Sequence, residues 1–188
     1  TLKNNLEVIE NIYLPQDSLL NIEKGVKIVF KKDVSILSKG SIFFNGTKEE
    51  PIVIFSNNKV GSLILEDNNY KLKNVIFKNL SYPKEKDRIL HGGINFINST
   101  VKMDNVKIIS SNSEDAINII SSNSKINNLK VENISADAID IDFGSLKFKN
   151  IICKNIFNDC LDVSAADISG NNLKGNFIKD KGLSFGES

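Results

Sequence analysis

The feature that most restricts this chain is a fixed interval. The strings "EDAINI", "ADAIDI", "NDCLDV" and "DKGLSF" begin at Glu114, Ala136, Asn158 and Asp180, each 22 residues after the last. Each joins an acidic turn to a short apolar strand. The other half of the unit repeats in step, with Asn74, Asn105, Asn128, Asn150 and Asn172 each followed by an aliphatic residue. Further apolar columns are Ile94, Ile117, Ile139, Leu161 and Leu183, then Phe96, Ile119, Ile141, Val163 and Phe185. Between them stand Asn95, Asn118, Asp140, Asp162 and Ser184. This is strand alternation, apolar inward and polar outward.

Several short strands per constant period predict an all-β, parallel β-solenoid with coils of about 22 residues. Stacking places like residues above like, about 4.8 Å apart. One coil cannot bury its own apolar face, whereas a stack can. The Asn column fits a tight turn, because Asn tolerates the left-handed conformation and its amide can bond along the stack. Residues 1–188 read as one domain. The early coils are less regular, and residues 82–91 read as a loop inserted into the stack. "GLSFGES" ends partway through a coil, so further coils, another domain or a protein partner is expected to cover that end. A start at Thr1, with Met103 the sole methionine, suggests a piece of a longer protein.

Composition removes several function classes. With 24 basic and 23 acidic residues, the net charge of +1 provides no field for nucleic acid. No apolar run reaches about 18 residues, so no transmembrane helix is expected. Cys153 and Cys160 occupy positions otherwise held by small or apolar residues, and are expected to be packed thiols.

The opening stretch "LPQDSLLNIEKGVKIVFKKDVSILSKGSIFFNGTKEEPIVIFSN" resembles the first coils of bacterial right-handed parallel β-helix proteins of the pectate-lyase-like superfamily. "ADAIDIDF", "NDCLDVSAADI" and "DKGLSFGES" are similar to later coils of a subset found with CotH-like (spore-coat type) kinase domains or other envelope functions. The resemblance implies a right-handed β-helix in a secreted or cell-envelope protein. For activity it implies little, since β-helices host lyases, hydrolases, epimerases, adhesins and tailspikes.

A narrower likeness is to polygalacturonase-type coils, which carry acidic motifs on successive coils. Asp137 would match the first acid, Asn158 and Asp159 an Asp pair, and Lys181 a His. Inverting hydrolysis needs one carboxyl as acid and another as base. Asn158 breaks that pair.

Three readings of the polar columns stay open. Asp115, Asp137 and Asp159 can hold turns by accepting backbone N–H bonds. The same three carboxylates could bind Ca2+ through oxygen ligands. Alternatively Asp137 and Asp159 form a catalytic group with Lys181, His91 and Arg88, the last two being the chain's sole His and Arg. A polysaccharide lyase would draw on such basic residues. The outward strand residues Asn118, Asp140, Asp142, Asp162 and Ser164 are the candidate polysaccharide-binding face. Against these stand a non-enzymatic scaffold within a multidomain protein and an adhesin or tailspike segment.

Overall fold

The computed structural model describes residues 1–84 and 89–186. Among these residues fifteen strands follow one another: β1 (Leu6–Val8), β2 (Ile12–Leu14), β3 (Leu19–Glu23), β4 (Lys27–Phe30), β5 (Ser35–Ser38), β6 (Ser41–Asn45), β7 (Ile52–Ser56), β8 (Ser62–Glu66), β9 (Asn69–Leu80), β10 (Gly92–Ile97), β11 (Thr100–Ser111), β12 (Asp115–Ile134), β13 (Asp137–Ile156), β14 (Asp162–Ile178) and β15 (Ser184–Phe185). They wind into a parallel β-solenoid of about 8 turns. Among the described residues there is no helix, and so none long and apolar enough to cross a membrane.

Each turn has three faces. One consists of β2, β5, β8 and β10, continued by the first segments of β12, β13 and β14 and by β15. A second stacks β3, β6 and the first part of β9; a third stacks β1, β4, β7 and the second part of β9. From β9 onward one long strand crosses the corner between these two faces. Stacked positions advance by 22 residues from Leu6 to Ile28, by 31 from Leu63 to Ile94, and by 22 from Asp115 to Asp137.

The corners explain why Asn, Ser and Asp punctuate the chain. Asn74, Asn105 and Asn128 adopt φ of 49°, 56° and 56°, the left-handed region that Asn tolerates. Asn105 Nδ2 donates to Asn74 Oδ1 at 2.5 Å, Asn150 to Asn128 at 2.8 Å and Asn172 to Asn150 at 2.9 Å. Asn150 and Asn172 continue the amide ladder without a positive φ, so the ladder outlasts the backbone conformation. Two further left-handed columns mark the other corners: Asn98, Ser121, Phe143 and Ala165, and Asn79, Ser110, Asn133, Asn155 and Phe177.

The interior is one continuous cluster of inward side chains, from Val8 and Ile22 to Leu161 and Val163. The predicted columns hold, as in Phe96 above Ile119 above Ile141 above Val163. One expectation is corrected. Cys153 and Cys160 are not separate thiols but a disulfide, with Cα atoms 5.8 Å apart. Cys153 stands in an inward column between Val131 and Gly175, and the turn after Ile156 brings Cys160 back against it. Repeat position alone cannot register that return.

Candidate functional site

The acidic strings converge on the face that contains β8 and β10. Its outward column runs Ile64, Asn95, Asn118, Asp140, Asp162 and Ser184. Exposure rises along it. Ile64 and Asn95 are fully buried, although they point away from the interior, and Asn118 is 2% exposed. Leu90, at the end of the inserted segment, is likewise buried and outside the interior cluster. The face therefore opens at Asp140, which is half-buried like Asp142, Asp162 and Ser164.

A recurring Asp-x-x-Asn/Asp spacing builds the site. Asp115 and Asn118, Asp137 and Asp140, and Asp159 and Asp162 stand on successive coils. Asn118 Nδ2 donates to Asp140 Oδ2 at 2.7 Å and to Asp115 Oδ2 at 3.3 Å. One amide thus ties the turn column to the strand column, two groups that the sequence treats separately. The spacing that could have revealed the link is the three-residue step combined with the one-coil step. At the previous coil Asn95 turns inward on the backbone, accepting from Gly92 N–H at 3.0 Å and donating to the carbonyls of Gly92 and Leu63.

The carboxylates are not equivalent. Asp115 is 3% exposed, and burial, with Asp140, Asp137, Glu114 and Asp142 nearby, pushes its pKa up to about 8. Burial and the charges of Asp142, Asp162 and Asp137 push Asp140 up to about 7, opposed by the Asn118 bond. Asp142 is raised by burial and Asp162, and His91 works against this. Asp137 is raised by burial, although its Oδ1 accepts the Asp159 backbone N–H at 2.7 Å and the Asn158 side chain also bonds it. Asp159 Oδ1 in turn accepts the Lys181 N–H at 2.8 Å.

The catalytic candidates separate into groups. His91 pairs with Glu114 at the surface and lies within electrostatic reach of Asp142. Lys181 contacts Asp180 at 2.6 Å and reaches Asp159 at 3.8 Å. Arg88 lies outside the described residues. Asp137 and Asp159 serve the turns of the next coil, while among the described residues Asp115 takes a side-chain bond from Asn118 and no such backbone bond; the column is therefore only partly a turn ladder. Among the described residues, no three His, Cys, Asp or Glu side chains converge in a metal-holding group.

Chemically, Asp140 can keep a proton near neutral pH beside Asp162, its partner one coil further on. Compared with protein-family models, curated proteins and solved structures, the chain matches none.

Proposed function

We propose that this chain is a β-solenoid module that binds polysaccharide along the face opening at Asp140, within a secreted or cell-envelope protein. The ladder Asp140, Asp162 and Ser184, flanked by Asp142 and Ser164, carries the reading. It offers one hydrogen-bonding side chain per coil on a rigid sheet, at a spacing suited to the repeated hydroxyls of a sugar polymer. Its carboxylates favour neutral or amine-bearing glycans over polyanions. The Cys153–Cys160 disulfide supports the extracellular setting, since such bonds persist in oxidising compartments. So does the likeness of the later coils to envelope proteins found with CotH-like kinase domains. The raised pKa of Asp140 supports processing as well as binding, with Asp140 as general acid.

The test is glycan-array binding by the intact chain, then titration with the best glycan for Asp140→Ala and Asp162→Ala. The expected result is at least tenfold weaker binding by both variants, each still folded, with Tm nearly unchanged in Asp162→Ala and lowered in Asp140→Ala, where the buried Asn118 amide loses its acceptor. No glycan bound, or two variants that simply unfold, would overturn the proposal. The rival is a non-enzymatic scaffold, favoured by the use of Asp137 and Asp159 as backbone acceptors and by Asn158 in the hydrolase-type pair.

A further inference from the structure

The near-neutral total charge hides a segregation of charge between faces. On the second face, Lys71, Lys102, Lys125 and Lys147 stand one above another on four successive coils. All four are exposed, while their strand neighbours Leu72, Val101, Met103, Ile126 and Leu146 are buried. Three steps at the stacking distance of strands make a file of cations about 14 Å long. Phe43 precedes it and Ser169 follows it. Beside it, two residues earlier on each strand, runs a neutral column of Asn69, Thr100, Asn123 and Ser145.

Two observations set this file apart. Like charges directly opposite on neighbouring strands are destabilising. On the third face the stacked Lys107 and Lys130 offset that repulsion by sharing Glu132, at 2.7 Å and 2.6 Å. Among the described residues, none of Lys71, Lys102, Lys125 and Lys147 has a carboxylate partner. The second face thus keeps four stacked cations with no neutralising group of its own. The second observation is a cleft of about 240 Å³ at the start of the file. Asn69 and Lys71 line it on one coil and Thr100 and Lys102 on the next, together with Phe43 and Tyr70. The Lys71 Nζ stands 4.5 Å from the Phe43 ring centre, a cation–π contact that steadies this ammonium.

We propose that this file binds linear inorganic polyphosphate, an unbranched chain with an anionic charge on every unit, laid along the lysines and the neutral column beside them. Ammonium groups meet phosphate oxygens as point charges, whereas planar carboxylates are matched best by guanidinium, and the file contains no Arg. Thr100, Asn123 and Ser145 add neutral hydrogen-bond partners at the same coil spacing. A densely charged chain can neutralise every cation of the file, which relieves the repulsion between coils. Single-stranded nucleic acid is disfavoured, because its bases need aromatic platforms and Phe43, the aromatic of this column, already carries Lys71. An anionic bilayer is disfavoured, because the cations form one narrow file with the exposed Asp104 beside it, not a broad basic plane. The file stands on a different face from the one that opens at Asp140.

The test titrates the intact chain at low salt with medium-chain polyphosphate, and in parallel with polyglutamate, oligothymidylate and phosphatidylglycerol vesicles. Polyphosphate should bind about tenfold more tightly than polyglutamate or oligothymidylate of equal charge, with an affinity that falls steeply as salt is added. Lys102→Gln with Lys125→Gln should weaken polyphosphate binding about tenfold and flatten its salt dependence, while Tm holds or rises as stacked cations are removed. Lys71→Gln with Lys147→Gln, at the two ends of the file, should act in the same direction. Lys32→Gln with Lys48→Gln removes the same charge from exposed positions off the file, and should change the affinity less than about twofold. The proposal is overturned by absence of polyphosphate binding, or by equal losses in the file variants and the Lys32 and Lys48 variant. Polyglutamate, oligothymidylate or the vesicles bound as tightly as polyphosphate would also overturn it.

Discussion

The Asp137 carboxylate accepts a 2.7 Å hydrogen bond from the backbone N–H of Asp159, the residue that holds its own place one coil later. Asp159 repeats the arrangement with Lys181. Each acid thus secures the turn of its successor. Asp137→Ala should cost about 1–3 kcal/mol, the penalty for leaving a half-buried donor without its charged acceptor. Asp137→Asn, which keeps an oxygen in place, should cost less. Urea midpoints of the three proteins check the order; equal midpoints would show that the bond contributes nothing.

Asp115 predicts a pH dependence. Its folded pKa, about 8, lies above the ordinary carboxylate value of 3.8, mainly through burial. A raised acid binds its proton more tightly in the folded state. Stability should therefore fall as pH rises from about 4 to about 8, then level off. Asp140 adds in the same direction up to about 7. Asp115→Asn, with an amide in place of the protonated carboxyl, should flatten part of this slope and raise Tm more at pH 8.5 than at pH 4.5. A Tm gain of equal size at both values would remove Asp115 as the source.

The disulfide gives a chemical prediction. Cys153 and Cys160 are seven residues apart in sequence, a loop whose closure stabilises by about 2–3 kcal/mol in the chain-entropy treatment. Protein made in an oxidising compartment and denatured without reductant should show no thiol reactive with a chromogenic disulfide. Cys153→Ser with Cys160→Ser should lower Tm by about 5 °C or more. Two reactive thiols in the unreduced protein would contradict the bond.

The amide ladder can be divided by substitution at Asn128. Its φ is 56°, and it accepts the Asn150 amide at 2.8 Å. Asn128→Gly keeps the backbone conformation and loses only the bond, at a cost of about 1 kcal/mol. Asn128→Ala loses both, and should cost roughly 1 kcal/mol more. Equal denaturation midpoints for the two variants would mean that the backbone conformation is not what Asn128 supplies.

Periodicity was legible because a stack repeats in space what the chain repeats in sequence. The Asn150 and Asn172 pair, the Ile117 and Ile139 pair, and the Asn118 and Asp140 pair all follow from counting residues. Departures from the count were not legible. The Cys153–Cys160 bond depends on the chain doubling back at one turn, and the exposure of Phe157 and Phe177 depends on what a corner leaves uncovered. Neither leaves a period of its own.

The sequence by itself determined the solenoid, the stacking of its columns and the side to which each polar column points, because alternation and a constant coil length admit few other burials. Only the tertiary structure decided how those columns behave. The Asn118 amide spans Asp115 and Asp140, and the face is closed at Ile64 and open at Asp140. Charge regulation and access depend on distances across coils and on what covers a face, quantities that residue spacing does not contain.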